Sequence, residues 1–107
     1  MDLEIRSDNR DAIIQAVKTA VATALEAVGL QAEGYAKQYC PVDTGNLRNS
    51  ISHDSDEEYA YIGTNVEYAP YVEVGTSKTK EQPFLRPAVE NHQQEYIDIF
   101  KAYLQDA

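Results

Sequence analysis

Over positions 8–39 the apolar residues recur at three- and four-residue steps. Ile13, Val17, Val21, Leu25, Val28, Ala32, Tyr35 and Tyr39 form the stripe, with Ile14, Ala24 and Ala36 beside it. Side chains spaced this way share one face of an α-helix, so 8–40 predicts a single long helix. Asp8 is placed to cap its first turn, and Asp11 to meet the positive end of its dipole. Pro41 stops it, because a proline ring pushes the preceding residue out of helical backbone. Gly29 and Gly34 each cost about 1 kcal/mol relative to alanine and mark where a bend would fall. At about 1.5 Å per residue the helix exceeds roughly 40 Å, whereas a compact chain of this size is roughly 30–35 Å across. The helix therefore bends or outruns its own domain, and an apolar stripe that outruns its domain needs a partner.

After Pro41 the period changes. Ile51, an acidic stretch Asp54-Ser55-Asp56-Glu57, and then Tyr59, Tyr61 and Gly63 in alternation predict two strands joined by a charged tip. The tip reads as a solvated turn, since it lacks the oxygen-ligand spacing and central glycine of a calcium loop. The stretch 68–75 reads either as a strand over 71–74 or as a helical turn opened by Pro70 and closed by Gly75. The three-residue steps of Tyr68, Tyr71 and Val74 fit the turn. The polar stretch 76–82 carries Lys78 and Lys80 and reads as a mobile loop. Pro87, at a first helical position, opens a last helix with the stripe Val89, Tyr96, Ile97, Phe100, Tyr103 and Leu104. The expected fold is α+β: a long N-terminal helix (8–40), a region of turn, antiparallel hairpin and loop (41–83), and a C-terminal helix (84–107). At 107 residues a single domain is expected.

Charge narrows the function. Eighteen acidic residues against nine basic ones leave a net charge of −9. That opposes binding to a nucleic-acid backbone, which takes clustered Lys and Arg, and it repels a duplex lying alongside. Cys40 is the single cysteine, so no disulfide forms within the chain and a reducing compartment is expected. The first residues, MDLEIRSDNRD, are polar and acidic, unlike a secretory signal. No uninterrupted apolar run reaches the length of about 18 residues that spans a membrane, so no membrane partner is expected. His53 and His92 have no acid or thiol at metal spacing, and no phosphate loop or nucleophile elbow occurs.

One triplet, Asp43-Thr44-Gly45, spells the catalytic motif of aspartic proteases. Those enzymes need two carboxylates sharing a proton. They carry the triplet in an all-β domain with a small residue after the glycine; here a long helix precedes it and Asn46 follows. The structural reading explains more positions. Pro41 ends the helix, Asp43 or Thr44 offers an oxygen to the N–H groups of a new turn, and Gly45 tolerates tight backbone. Leu47 and Ile51 return to the core, with Arg48 outside that pair. No catalytic residue, cofactor or metal ligand is assigned, and a dimeric aspartic protease is the remote alternative.

Three segments in order, "CPVDTGNLRNSI", "YAPYVEVGT" and "QPFLRPA", resemble the HK-ninety-seven gene-product-ten family of tailed phages and prophages. Its members are small morphogenesis proteins of the neck and tail, described as tail-completion or head–tail joining proteins. The family pattern falls on Pro41, Asp43, Thr44, Gly45, Leu47, Arg48, Ser50 and Ile51. It falls next on Tyr68, Ala69, Tyr71, Val72, Glu73, Gly75 and Thr76, and last on Pro83, Phe84, Leu85, Pro87 and Ala88. Many members carry phenylalanine where Val74 stands. The resemblance implies a ring-forming virion part, made in the bacterial host cytoplasm, with no catalytic residue or cofactor. Its partners would be further copies of itself and neighbouring neck or tail proteins. Lys78 and Lys80 are expected to meet Asp56, Glu57 or Glu58 of a neighbouring copy. A second class, an acidic cytoplasmic adaptor or inhibitor-type binding protein, is told apart by whether portal, capsid and tail genes flank the coding sequence.

Overall fold

The long stripe folds as one α-helix that passes through Gly29 and Gly34 without a break. In the computed structural model, which describes residues 9–41 and 45–105, this helix, α1, spans Arg10–Tyr39. Its N-cap is Asn9, which makes no side-chain cap bond; Asp8 lies outside the described residues. Cys40 ends the helix with φ −68° and ψ 136°, the extended backbone a following proline imposes. Gly29 marks a close approach rather than a bend: a Cβ there would lie 3.1 Å from Cδ2 of His53.

Among the described residues six further elements follow in an α+β arrangement: α2 (Gly45–Ser50), β1 (Ser52–Ser55), β2 (Ala60–Gly63), α3 (Ala69–Val74), α4 (Leu85–Glu90) and α5 (Gln93–Gln105). β1 and β2 pair antiparallel in the register Ser52↔Gly63, His53↔Ile62, Asp54↔Tyr61 and Ser55↔Ala60. The hairpin packs on the C-terminal half of α1, and α4 and α5 pack beside it. The core gathers at that end of the helix, from Ala36, Cys40, Leu47, Ile51, Ala69, Phe84 and Ala88. Phe84 and Leu47 are the largest fully buried side chains.

α1 contributes small residues to this core. Ala24, Gly29, Ala32 and Ala36 are buried, while Val17, a member of the predicted stripe, is 51% exposed. Small side chains let the hairpin and α4 lie close to the helix axis. Of the two outcomes expected for the helix, outrunning the fold is the one realised. The molecule measures 63 × 23 × 21 Å with a radius of gyration of 17.9 Å, against roughly 13 Å for a compact chain of this length. By length and composition α1 also reaches the threshold for a membrane-crossing helix, although no uninterrupted apolar run does. Its C-terminal half is committed to the fold instead, and carries Glu26 and Glu33 in contact with the hairpin.

Four sequence expectations are corrected. Gly45 is not in a tight turn: it opens α2, its φ is not positive, and a Cβ there would meet nothing within 4 Å. Asp54 and Ser55 belong to β1, so the tip is 56–59. The tip moves because the Asp56 side chain closes it: Oδ1 accepts the N–H groups of Glu58 and Tyr59, both at 2.7 Å. Pro87 is not the first residue of the last helix but the third of α4. The C-terminal region is two helices, and the break at Asn91 and His92 lets α5 lie back along α1.

The stretch 68–75 is the helical turn. Pro70 lies in its first turn and Gly75 closes it with φ +77°. The stretch 76–82 is a compact turn folded onto α3. Gln82 N–H donates to the Val72 carbonyl at 2.8 Å, and Thr76 Oγ1 accepts the N–H groups of Lys78 and Thr79 at 3.2 and 3.0 Å.

Candidate functional site

The residues singled out from sequence separate into an inner joint and an outer surface. The joint begins with Glu73, half-buried near the end of α3. Its Oε1 accepts the N–H groups of Phe84 and Leu85 at 3.1 and 2.9 Å, and its Oε2 that of Arg86 at 3.1 Å. These are the N–H groups that the first turn of α4 leaves without helical partners, and a carboxylate is the acceptor the helix dipole favours there. The next residue is Pro87, which has no N–H to satisfy. One side chain and one proline thus complete the start of α4, across a separation of 11 to 13 residues.

The capped turn drives Phe84 into the core against Leu47, Ile51, Ala69 and Ala88. Leu85 and Val72 pack at its edge, and Pro83 is half-buried. Ser50 donates to the Leu47 carbonyl at 2.6 Å and lies 2.5 Å from the Thr64 hydroxyl, tying the end of α2 to the strand exit. Gly75 is obligatory here. Its φ is +77°, and a Cβ would lie 2.7 Å from the Glu81 nitrogen and 2.8 Å from the Thr79 oxygen. Leu47, Glu73, Gly75, Pro83, Phe84, Leu85 and Pro87 therefore belong to one folding joint. Pro41 ends the helix above it. Asp43 and Thr44 lie outside the described residues.

Two polar clamps hold the joint to α1. In the first, His53 of β1 lies between two carboxylates of α1, Nδ1 at 2.9 Å from Glu33 and Nε2 at 2.5 Å from Glu26. Ser55 donates to the other oxygen of Glu26 at 2.6 Å, and Lys37 pairs with Glu33 at 3.3 Å. The hydrogen bonds to Glu33 and then Glu26 raise the pKa of His53. Those to Ser55 and His53 lower that of Glu26, and the bond to His53 lowers that of Glu33. In the second clamp the Tyr35 ring stacks on His92 at 3.5 Å, and its hydroxyl donates to the Glu95 carboxylate at 2.7 and 2.8 Å. The Tyr39 hydroxyl lies 2.6 Å from His92 Nε2, and Tyr96 donates to the Ala88 carbonyl. Burial, then the charge of Glu95, pushes the Tyr96 phenol up to about 12.

The outer surface carries the rest. Tyr68 is 39% and Tyr71 61% exposed, and neither belongs to the core. Arg48 points to solvent from the last turn of α2. Lys78, Lys80, Asp56, Glu57 and Glu58 are exposed, and among the described residues none of them makes an ion pair within the chain. Among the described residues no group of three or more His, Cys, Asp or Glu is placed to hold a metal. Cys40 is buried in the core.

Sequence reading missed the role of Glu73 and both clamps. Glu26 and Glu33 lie seven residues apart, two turns along one helix face, which is the signal for a shared partner. Nothing local names His53 as that partner. A family model described as "Bacteriophage HK97-gp10, putative tail-component" matches residues 8–75 of the chain. The match takes in α1, the hairpin and α3 and ends at Gly75, while Glu73 reaches from inside it to the third motif. No curated protein and no solved structure matches the chain.

Proposed function

The chain belongs to the HK97-gp10-like family of bacteriophage tail components, and from that premise we propose that it is a neck or tail-completion subunit that assembles into a ring at the head–tail junction. The observation that carries this reading is the form of α1. Half of the helix is the floor of the fold, and the other half projects with apolar side chains in solvent: Ile14 is 39% and Val17 51% exposed. A subunit that completes itself against neighbours has this form.

In this reading the chain acts by contact with its own copies and with adjacent neck or tail proteins, without catalysis or cofactor, after synthesis in the host cytoplasm. The net charge of −9 keeps such a ring from adhering to DNA passing through it. Lys78 and Lys80 facing Glu57 and Glu58 of the next copy would set register, each exposed pair adding about 0.2–1 kcal/mol. The test is electron microscopy of particles from a phage or prophage lacking the gene product. Full heads and finished tails lying apart support head–tail joining, and tails of aberrant length support tail termination. Complete, infectious particles would overturn the proposal.

A further inference from the structure

Resting on that reading, we propose that the projecting half of α1 seats in an apolar groove of the next copy, between the exit of β2 and α3. From 10 to 19 every residue of α1 is exposed except Ile13, which is half-buried. Ile13, Val17 and Val21 continue the face that bears α5 further along the helix. α5 runs antiparallel to α1, with His92 beside Tyr35 and Tyr39 and with Ile99 and Tyr103 beside Ala27 and Thr23. Among the described residues α5 ends at Gln105, and the stripe continues past it towards the start of α1.

The groove is open, about 480 Å³, and is lined by Val66, Ala69, Pro70, Val74 and Leu85 with Glu67 at its rim. Val74 is 69% exposed. Apolar contact is what both surfaces lack, and charge names the occupant. The projecting segment 10–23 carries Arg10 and Lys18 against a single acid, Asp11, in a chain of net charge −9. It is thus a locally basic stretch of an acidic molecule, and an exposed glutamate, Glu67, stands beside the groove. A second copy of this chain offers both halves. Because the stripe and the groove are different surfaces, the contact is heterologous and repeats head-to-tail, which gives a ring when the rotation between copies closes. The binding mode is an amphipathic helix laid in a groove.

The test is complementation of a phage or prophage lacking the gene with single variants. Val17→Asp and Val74→Asp replace exposed side chains, so circular dichroism and thermal unfolding should match wild type. Each should lower the yield of joined particles roughly tenfold or more, the effect of one unpaired charge in an apolar contact. Thr19→Asp, exposed in the same projecting half but on the side of α1 away from Val17, should keep the wild-type yield. In particles built from mixed Val17→Cys and Val74→Cys copies, mild oxidation should link the two variants to each other. Normal yield with Val17→Asp, or links only between two Val17→Cys copies, would overturn the contact. If removing the gene abolishes joining while Val17→Asp does not, the contact alone falls and the ring reading stands. If removing the gene changes nothing, both fall.

Discussion

Glu73→Ala tests whether the joint between α3 and α4 rests on one carboxylate. The substitution leaves the N–H groups of Phe84, Leu85 and Arg86 without their acceptor. Loss of a helix N-cap costs about 1 kcal/mol, and hydrogen bonds to a charged group contribute about 1.5–3 kcal/mol. Arg86 is exposed and Leu85 half-exposed, so water takes over part of the role; at Phe84, whose side chain is fully buried, it does so least. The net cost is about 2 kcal/mol, which for a chain of this size lowers Tm by about 8–16 °C. Glu73→Gln keeps one acceptor oxygen but not the charge, and should cost about half as much. Urea unfolding followed by circular dichroism gives both values, and an unchanged m-value shows that only stability moved. If Glu73→Ala unfolds within about 0.5 kcal/mol of wild type, the range of ordinary surface changes, α4 is held by the packing of Phe84 alone and the capping argument is wrong.

The other predictions concern the clamps and the glycines. His53, with its pKa raised above the ordinary 6.5, stabilises the fold fully below that value and loses this contribution as pH rises through the raised value. Glu26 and Glu33, lowered from 4.5, contribute above that value and lose it as pH falls through the lowered ones. Stability should therefore be greatest between the two limbs. His53→Gln should remove the alkaline limb, and an imidazole titration by NMR with a midpoint below 6.5 would refute the clamp. Tyr96 should be the last tyrosine to ionise in an ultraviolet pH titration, near the value of about 12. Tyr96→Phe should cost about 1 kcal/mol by removing the bond to Ala88. Gly75→Ala should cost at least about 1–3 kcal/mol from its backbone alone, whereas Gly45→Val should be tolerated, since α2 leaves open space there. Equal stability losses at the two glycines would contradict these backbone assignments.

The sequence by itself determined the main properties that depend on neighbours in the chain, though not the local details of Gly45, the hairpin tip and the break at Asn91 and His92. The long helix, its end at Pro41, the hairpin and the α+β class are written in local spacing and in the backbone limits of proline and glycine, while for 68–75 local spacing admits both a strand and the helical turn that the structure shows. The family resemblance was legible for a related reason, because part of its motif, Leu47, Glu73, Gly75, Pro83, Phe84, Leu85 and Pro87, folds the joint, while Arg48, Tyr68 and Tyr71 lie on the outer surface. Tertiary structure alone decided what depends on distant segments meeting. Glu73 is an unremarkable acid until α4 begins beside it, and His53 until Glu26 and Glu33 close on either side of it. The register of the stripe was decided in the same way. Spacing shows which residues share a face, but only the packed hairpin and α5 show that Ala24, Ala32 and Ala36 are covered while Val17 is left in solvent. Burial is a property of two surfaces, and the sequence of one helix holds only one of them.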